Sequence, residues 1–231
     1  MCLRTEVRER PILFSGPMVN SILAGRKTQT RRIVKFGKNK PNFCASWVGW
    51  TDHYEYGPGW YAQDVDQPYG ELAEMWDEIK LTCPFGEVGS HLYVKETWRT
   101  SAVSDDTKPS LLFDGADRIW YEADGYRDHL AGKVRQSIFM PRWASRLTLE
   151  ITDIRVERIQ DISHEDALAE GCTGYNWVAS SPYISGPHTD DGELPVEEYE
   201  RLWESLHGSG SWAKNEWVWV ISFKRIDPRR N

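Results

Sequence analysis

The architecture is decided by the run Trp217-Val218-Trp219-Val220-Ile221-Ser222-Phe223. Apart from Ser222, its residues are apolar at both the odd and the even positions, which face opposite sides of a strand. A strand that is apolar on both faces is covered on both faces, so this run predicts a central strand. A second extended run alternates from Leu147 to Val156, and its phase slips near Thr152-Asp153. The slip predicts a β-bulge within a long strand.

Three helices are predicted outside these strands. The first begins at Ser15-Gly16-Pro17, where serine can cap the helix and proline fits its first turn, and it ends before Gly25. The second begins at Ser163 and ends at Gly171, and the third runs from about Pro195 to His207. Because the predicted strands lie far apart in sequence, the pattern indicates an α+β domain with a curved or closed sheet.

The length and composition set further limits. The 231 residues suit a single domain over 1–231 that carries insertions at about 37–85, 100–130 and 172–195. No run of about 18 apolar residues is present, and the first ten residues are polar, so we expect a cytoplasmic protein that does not enter a membrane. The four cysteines lack a paired spacing and favour buried thiols over a zinc site built on Cys44, Cys83 and histidines.

Charge is distributed unevenly along the chain. The net charge is −7, yet residues 1–40 hold ten Lys and Arg against two acidic residues, a local charge of +8. An acidic protein with one basic strip predicts an anionic ligand, such as a nucleotide or a short single-stranded nucleic acid, more than a long duplex.

Aromatic residues are concentrated between residues 43 and 76, where many of the rings are interleaved with Gly and Pro. Such rings can stack on unpaired bases. They can equally form the core of a loop-rich insertion, because aromatic side chains bury the most surface per residue. The sequence favours the core interpretation and leaves the stacking platform as the alternative.

The segment Gly25-Arg26-Lys27-Thr28-Gln29-Thr30-Arg31-Arg32 joins the first helix to a predicted strand. Alternation places Thr28, Thr30 and Arg32 on one face of that strand, and Arg31 on the other. A lysine beside a threonine hydroxyl can activate a nucleophile or stabilise an oxyanion. The same residues can also form a solvated basic edge, and spacing alone favours that edge.

Glu170 occupies the last turn of the second predicted helix. A carboxylate there opposes the helix dipole, which favours cations at the C-terminal end. The position therefore suggests another role for Glu170, although a solvated surface glutamate is the simpler interpretation of this observation.

Together these segments resemble the ASCH domain, a PUA-like β-barrel family, and in particular the longer ASCH-like proteins of phages and prophages. The resemblance covers most of the chain and leaves residues 37–85 and 172–195 outside the minimal domain. It rests on Gly25-x-Lys27-x-x-Thr30-x-Arg32, Gly89-x-x-Leu92-x-Val94, a helix ending in Glu170, a final apolar strand, and the segments Arg10-Pro11-Ile12-Leu13-Phe14-Ser15 and Met140-Pro141-Arg142-Trp143-Ala144-Ser145-Arg146.

Thr30 occupies a position where the usual ASCH pattern has glutamate. The small bacterial ASCH enzymes that hydrolyse 4-acetylcytidine have a similar Lys-Thr-x-Thr-x-Arg segment. The resemblance implies Lys27, Thr30 and Glu170 as the catalytic set. It also implies that Gly25, Thr28 and Arg32 bind substrate, and that no metal or cofactor is required.

Three functions are consistent with the sequence. The first is binding of a modified nucleoside, nucleotide or single-stranded nucleic acid, with hydrolysis of an exocyclic amide such as that of 4-acetylcytidine. The second is a non-catalytic reader of RNA or DNA. The third is a phage accessory protein that sequesters a nucleotide or binds a host protein, for which no sequence feature identifies the partner.

Overall fold

The computed structural model describes residues 8–36, 47–53, 57–63, 78–115, 118–125, 128–173 and 194–226, and within them the chain is a mixed α+β protein made mostly of strands. In chain order the elements are β1 (Glu9–Leu13), α1 (Gly16–Leu23), β2 (Gln29–Ile33), β3 (Trp47–His53), β4 (Gly57–Gln63), β5 (Glu78–Leu81), β6 (His91–Lys95), β7 (Trp98–Arg99), β8 (Trp120–Tyr121), β9 (Thr148–Arg158), α2 (His164–Ala169), α3 (Pro195–His207) and β10 (Trp217–Ile226).

The main sheet has five strands in the order β1, β6, β9, β10, β2. β1 and β6 run parallel, whereas the other neighbours are antiparallel. β10 lies between β9 and β2, which confirms the predicted interior strand. The register between β9 and β10 shifts at Ser222 and Phe223, leaving Thr152 as the extra residue, so the predicted bulge is also confirmed.

The two faces of this sheet pack against different cores, which explains why β10 is apolar without a break from Trp217 to Ile221. Trp219 and Ile221 belong to the core that includes α1, together with residues of β1, β6 and β9. Val218 and Val220 belong to a second core, which α3 covers with residues such as Tyr199. Because successive side chains of a strand point to opposite faces, burial on both sides requires an unbroken apolar run.

No closed barrel is formed by the described residues, since β1 and β2 are the edges of an open sheet. The barrel expected from the resemblance is therefore not observed there. The two edges nevertheless approach each other, because Arg32 donates a hydrogen bond from Nη2 to the carbonyl oxygen of Leu13 at 2.7 Å. Within the described part of the chain, the two edge strands are joined by this side-chain contact and by no backbone pairing.

The aromatic segment forms a sheet of its own. Strands β3, β4 and β5 pair in an antiparallel order, although the sequence predicted a loop-rich insertion. Val48, Ala62 and Leu81 join the core on the α1 side of the main sheet. The interpretation of the aromatic rings as core holds for Tyr61, which has no exposed surface, but not for Trp50, which is 62 % exposed. The prediction that the segment is rich in loops is wrong for these strands.

The other two predicted insertions differ in how much of them the structure describes. The segment 100–130 contains short 3₁₀ turns and β8, which pairs with β7. Most of the insertion predicted at 172–195 lies outside the described residues. Among the helices of the described ranges, none has the length and apolarity needed to cross a bilayer.

Candidate functional site

Lys27 is placed by the turn that ends α1. Gly25 has a positive φ of 72°, and the backbone N–H groups of Arg26 and Lys27 both donate to the carbonyl oxygen of Ser21. The chain then enters β2, and the Lys27 side chain turns inward, where the residue is only 2 % exposed. The predicted helix-to-strand junction is confirmed, and Lys27 is internal.

Glu170 is placed by the end of α2. Ser163 caps this helix by accepting a hydrogen bond from the Asp166 N–H, and Glu170 is the C-terminal cap residue. The next residue, Gly171, has a φ of 99°, and a Cβ atom there would lie 3.4 Å from Cβ of Lys27. The expectation of a solvated Glu170 is wrong, because the residue is 5 % exposed. The physical reason is that the helix end packs directly against the turn carrying Lys27.

Lys27 and Glu170, which are 143 positions apart, form a buried ion pair. Nζ of Lys27 lies 2.5 Å from Oε2 of Glu170 and also donates to the Glu170 carbonyl oxygen at 2.8 Å. Burial lowers the pKa of Lys27, and the charge and hydrogen bond of Glu170 oppose that shift. The fold thus brings together two members of the predicted catalytic set.

Thr30, the third member, is buried in β2 opposite Ile221. Alternation places its side chain on the same face as Arg32, which lies over the ring of Phe14. Nζ of Lys27 lies 5.7 Å from the centre of that same ring. Lys27 and Thr30 therefore occupy the same side of the sheet, although the Thr30 hydroxyl takes part in none of the hydrogen bonds of the ion pair.

The position of Arg31 differs most from the sequence prediction. The basic run favours a solvated edge for Arg31, yet its side chain has no exposed surface. The guanidinium donates to Glu157 at 2.6 Å, Asp166 at 3.0 Å and Glu170 at 3.4 Å. Alternation had indicated that Arg31 points away from Thr30, but three carboxylates from β9 and α2 meet it there, and only the tertiary structure provides them.

Asp166 also takes part in this network. Its carboxylate accepts hydrogen bonds from Gln29, Arg31 and Arg155. Burial alone would raise the pKa of Asp166, but the hydrogen bonds from Gln29 and Arg155, with the charges of Arg31 and Arg155, hold that pKa below its usual value. Asp166 and Glu170 are one helical turn apart, a spacing that was visible in the sequence.

A cavity of about 500 Å³ adjoins Glu170 between α1, the end of α2 and α3. Its lining combines the polar side chains of Ser15, Ser21, Glu170, Glu198, Arg201 and Ser205 with the apolar side chains of Pro17, Met18 and Leu202. Of the other residues predicted to bind substrate, Gly25 and Thr28 are exposed and Arg32 is partly buried, and none of the three belongs to the described lining of this cavity.

Metal binding has no support within the described ranges, where no group of three His, Cys, Asp or Glu side chains is suitably placed. Cys83 is a buried free thiol, and burial raises its pKa, as expected for an unreactive cysteine. Cys44, the other residue of the alternative zinc site, lies outside the described residues.

Comparison of the chain with protein-family models, with curated proteins and with solved structures gave no match.

Proposed function

We propose that the protein binds a modified nucleoside in the cavity beside Glu170 and hydrolyses its exocyclic amide, as in 4-acetylcytidine. The observation that carries the proposal is the buried Lys27–Glu170 pair, of which Glu170 lines that cavity. An isolated buried ion pair contributes little to stability, because desolvation offsets the attraction between its charges. A titratable pair with a perturbed lysine next to a cleft is therefore a candidate for chemistry.

The chemistry requires an attacking oxygen, a group that takes its proton, and a positive charge for the oxyanion. In the proposal, Thr30 attacks the acyl carbonyl, Glu170 accepts the hydroxyl proton and Lys27 stabilises the oxyanion. The carbon–nitrogen bond then breaks and the released amine takes the proton. Water cleaves the acyl ester on Thr30, so that 4-acetylcytidine and water give cytidine and acetate.

The cavity suits such a ligand in size and polarity. Its volume of about 500 Å³ falls within the range of about 300 to 1,000 Å³ found for small-molecule sites. Serine hydroxyls and the charged groups of Glu198 and Arg201 supply hydrogen-bonding partners of both kinds for a sugar or a base. As the corresponding fold assignment, we propose a PUA-like, ASCH-type domain over 1–231 whose curved sheet is drawn together by the Arg32–Leu13 contact.

The test is to incubate the purified protein with 4-acetylcytidine and follow the formation of cytidine. We expect turnover by the natural protein and a loss of about 100-fold or more in Lys27→Ala. Lys224→Ala is the matched control, because Lys224 pairs with Glu150 at 3.1 Å on the surface. Absence of turnover, or equal turnover in both variants, contradicts the proposal. Thr30→Val separates attack by Thr30 from attack by a water molecule that Glu170 activates, since only the former needs the hydroxyl.

A second candidate, reading of single-stranded nucleic acid without catalysis, is favoured by Trp50. This residue is 62 % exposed on β3 and packs edge-on against Trp60, with ring centres 5.8 Å apart. A base stacked on such a ring contributes about 1 to 3 kcal/mol. The basic strip supports this candidate less than its charge suggested, because Lys27 and Arg31 are buried in ion pairs.

Binding of single-stranded oligonucleotides at two salt concentrations tests the second candidate. Phosphate contacts weaken as salt rises, whereas stacking depends on the ring. We expect Trp50→Ala to reduce affinity by about tenfold and Phe113→Ala, which removes another exposed ring, to leave it unchanged. Equal affinity of the two variants excludes Trp50 as a stacking platform.

A further inference from the structure

Arg31 is the most heavily bonded cation of the site, although the proposed chemistry assigns it no step. Its Nε and Nη2 atoms donate to Oε1 of Glu157 at 3.1 and 2.6 Å, and Nη2 also donates to Asp166. Its Nη1 atom donates to Oε1 of Gln29 at 2.7 Å and to Oε1 of Glu170 at 3.4 Å. The guanidinium is thereby fixed by three elements, β2, β9 and α2.

The two oxygens of Glu170 face different cations. Oε2 lies against Lys27, and Oε1 lies against Arg31. These cations approach from opposite sides of β2, which is an edge strand of the described sheet, so Glu170 lies beside the outer edge of that strand. The orientation of its carboxylate therefore depends on both contacts. Loss of the Arg31 contact would free Oε1 and allow the group to rotate away from Lys27.

Asp166 strengthens this dependence, because it is on the same face of α2 as Glu170, one turn earlier. Arg31 bonds to both carboxylates and holds the helix end against β2. The backbone N–H of Thr28 also donates to the Ala169 carbonyl oxygen at 2.8 Å and holds the helix end beside the turn that carries Lys27, so the Arg31 contact acts on the direction of the Glu170 carboxylate. A misplacement of about 1 Å in such a pair can cost about 100-fold in rate.

We propose that Arg31 is a positioning residue for the Lys27–Glu170 pair, acting through its contact with Oε1 of Glu170. This inference rests on the proposed hydrolysis, because it assigns Arg31 a role in the same site. Arg31 itself does not contact the substrate. It keeps the Glu170 carboxylate directed at Lys27, and it orders the end of α2.

Arg155 provides a matched control within the same network. It bonds to Asp166 at 2.5 Å and to Glu157 at 3.0 Å, as Arg31 does, but it makes no contact with Glu170 among the described interactions. Removal of either arginine loosens the same two carboxylates. Only removal of Arg31 releases Glu170, so a difference between the two variants reports positioning and not general loss of the network.

The experiment measures kcat and KM for 4-acetylcytidine in Arg31→Gln, Arg31→Lys, Arg155→Gln and Arg155→Lys. We expect Arg31→Gln to lower kcat by about 100-fold with little change in KM. Arg31→Lys should regain part of kcat, and both Arg155 variants should stay within about threefold of the natural protein.

Equal losses of kcat in the Arg31 and Arg155 pairs, or a rise in KM with unchanged kcat in Arg31→Gln, overturn the inference. If Arg31→Gln does not fold, the comparison of Arg31→Lys with Arg155→Lys decides, and equal rates reject positioning. A crystal structure of Arg31→Gln is independent of turnover. We expect Glu170 to move from Lys27 there, and an unchanged Lys27–Glu170 contact rejects the inference. Absence of turnover by the natural protein would instead reject the proposed hydrolysis, leaving the crystal structure to judge Arg31.

Discussion

Glu170 and Glu96 are both buried carboxylates, but they are neutralised in different ways. Glu96 receives two parallel hydrogen bonds from one guanidinium, that of Arg146, at 2.9 Å each. Arg146 also lies over the ring of Tyr121 at 4.0 Å. Glu170 instead divides its oxygens between Lys27 and Arg31.

The difference separates a structural ion pair from a candidate reactive one. A bidentate pair occupies both oxygens of the carboxylate and fixes its geometry, which favours a role in packing. Glu170 has a short contact to a lysine of lowered pKa and a long one to Arg31, and it lines a cavity. Its carboxylate is therefore the better placed of the two to exchange a proton with a ligand.

The largest expected effect is on stability, and it tests whether the Arg31 network is as interdependent as its contacts suggest. Replacing Arg31 by Gln removes the fully buried cation that Glu157, Asp166 and Glu170 share, and leaves Arg155 as the remaining partner of the first two. We therefore expect a loss of about 3 kcal/mol in the free energy of unfolding. Urea denaturation measures it. Arg146→Gln should lose less, because Arg146 is 24 % exposed, and an equal or larger loss would show that the two networks are alike.

The second prediction sharpens the contrast in function. Glu170→Gln should reduce the rate of 4-acetylcytidine hydrolysis by about 100-fold, because the general base is removed. Glu96→Gln should leave the rate within about twofold, since that carboxylate is used in packing. Steady-state kinetics of the two variants, with circular dichroism to verify folding, provide the measurement. Comparable rates in both variants would remove the distinction drawn between the two carboxylates.

A smaller effect is expected at the close approach between α2 and Lys27. Gly171 has a positive φ, and an added Cβ would lie 3.2 Å from Cβ of Ser21. Gly171→Ala should therefore cost more than the 1 to 2 kcal/mol or so that a left-handed alanine costs by itself. Gly125→Ala is the control, as Gly125 has a φ of 69° with open space around its Cβ position. Thermal unfolding that gives the two variants equal losses would argue against tight packing at Gly171.

The smallest expected effects are on the pH dependence of stability, and they have opposite signs for Glu96 and Asp166. Burial raises the pKa of Glu96 above 4.5, against the hydrogen bonds of Arg146. Between 4.5 and the raised pKa, Glu96 binds more protons in the folded protein than in the unfolded chain. Its contribution to stability is therefore present below 4.5 and is lost as pH rises through the raised pKa. The pKa of Asp166 is lowered below 3.8 by its hydrogen bonds and charges, against burial. Its contribution is present above 3.8 and is lost as pH falls through the lowered pKa.

Urea unfolding across this acidic range of pH measures both signs. Relative to the natural protein, Glu96→Gln should gain stability as pH rises above 4.5. Asp166→Asn should gain relative stability as pH falls below 3.8. Parallel profiles for the two variants would mean that neither carboxylate titrates as its surroundings indicate.

The parts of the fold that were predictable depend on local patterns. The apolar run of β10, the phase slip in β9 and the glycine that ends α1 each reflect forces within a few residues, and the structure confirms all three. The sheet formed by β3 and its neighbours was missed, because Gly and Pro among the aromatic residues of that segment indicate loops when long-range pairing is ignored.

For the site, the family resemblance predicted Lys27, Thr30 and Glu170 as one catalytic set. The structure pairs Lys27 with Glu170. The residue patterns alone favoured solvated positions for Glu170 and Arg31, and both are buried. Charged side chains at helix ends and in basic runs usually face water. The exception arises only when another part of the chain supplies a partner.

The sequence by itself determined where β9, β10 and the three helices form, and that Arg31 and Thr30 occupy opposite faces of one strand, since these follow from backbone periodicity. The tertiary structure alone decided that β2 lies at the edge of the sheet and that α2 ends against it. It also decided that Glu170 lies between Lys27 and Arg31. The physical reason is that buried charges need partners of opposite sign, and here those partners come from segments more than a hundred residues away.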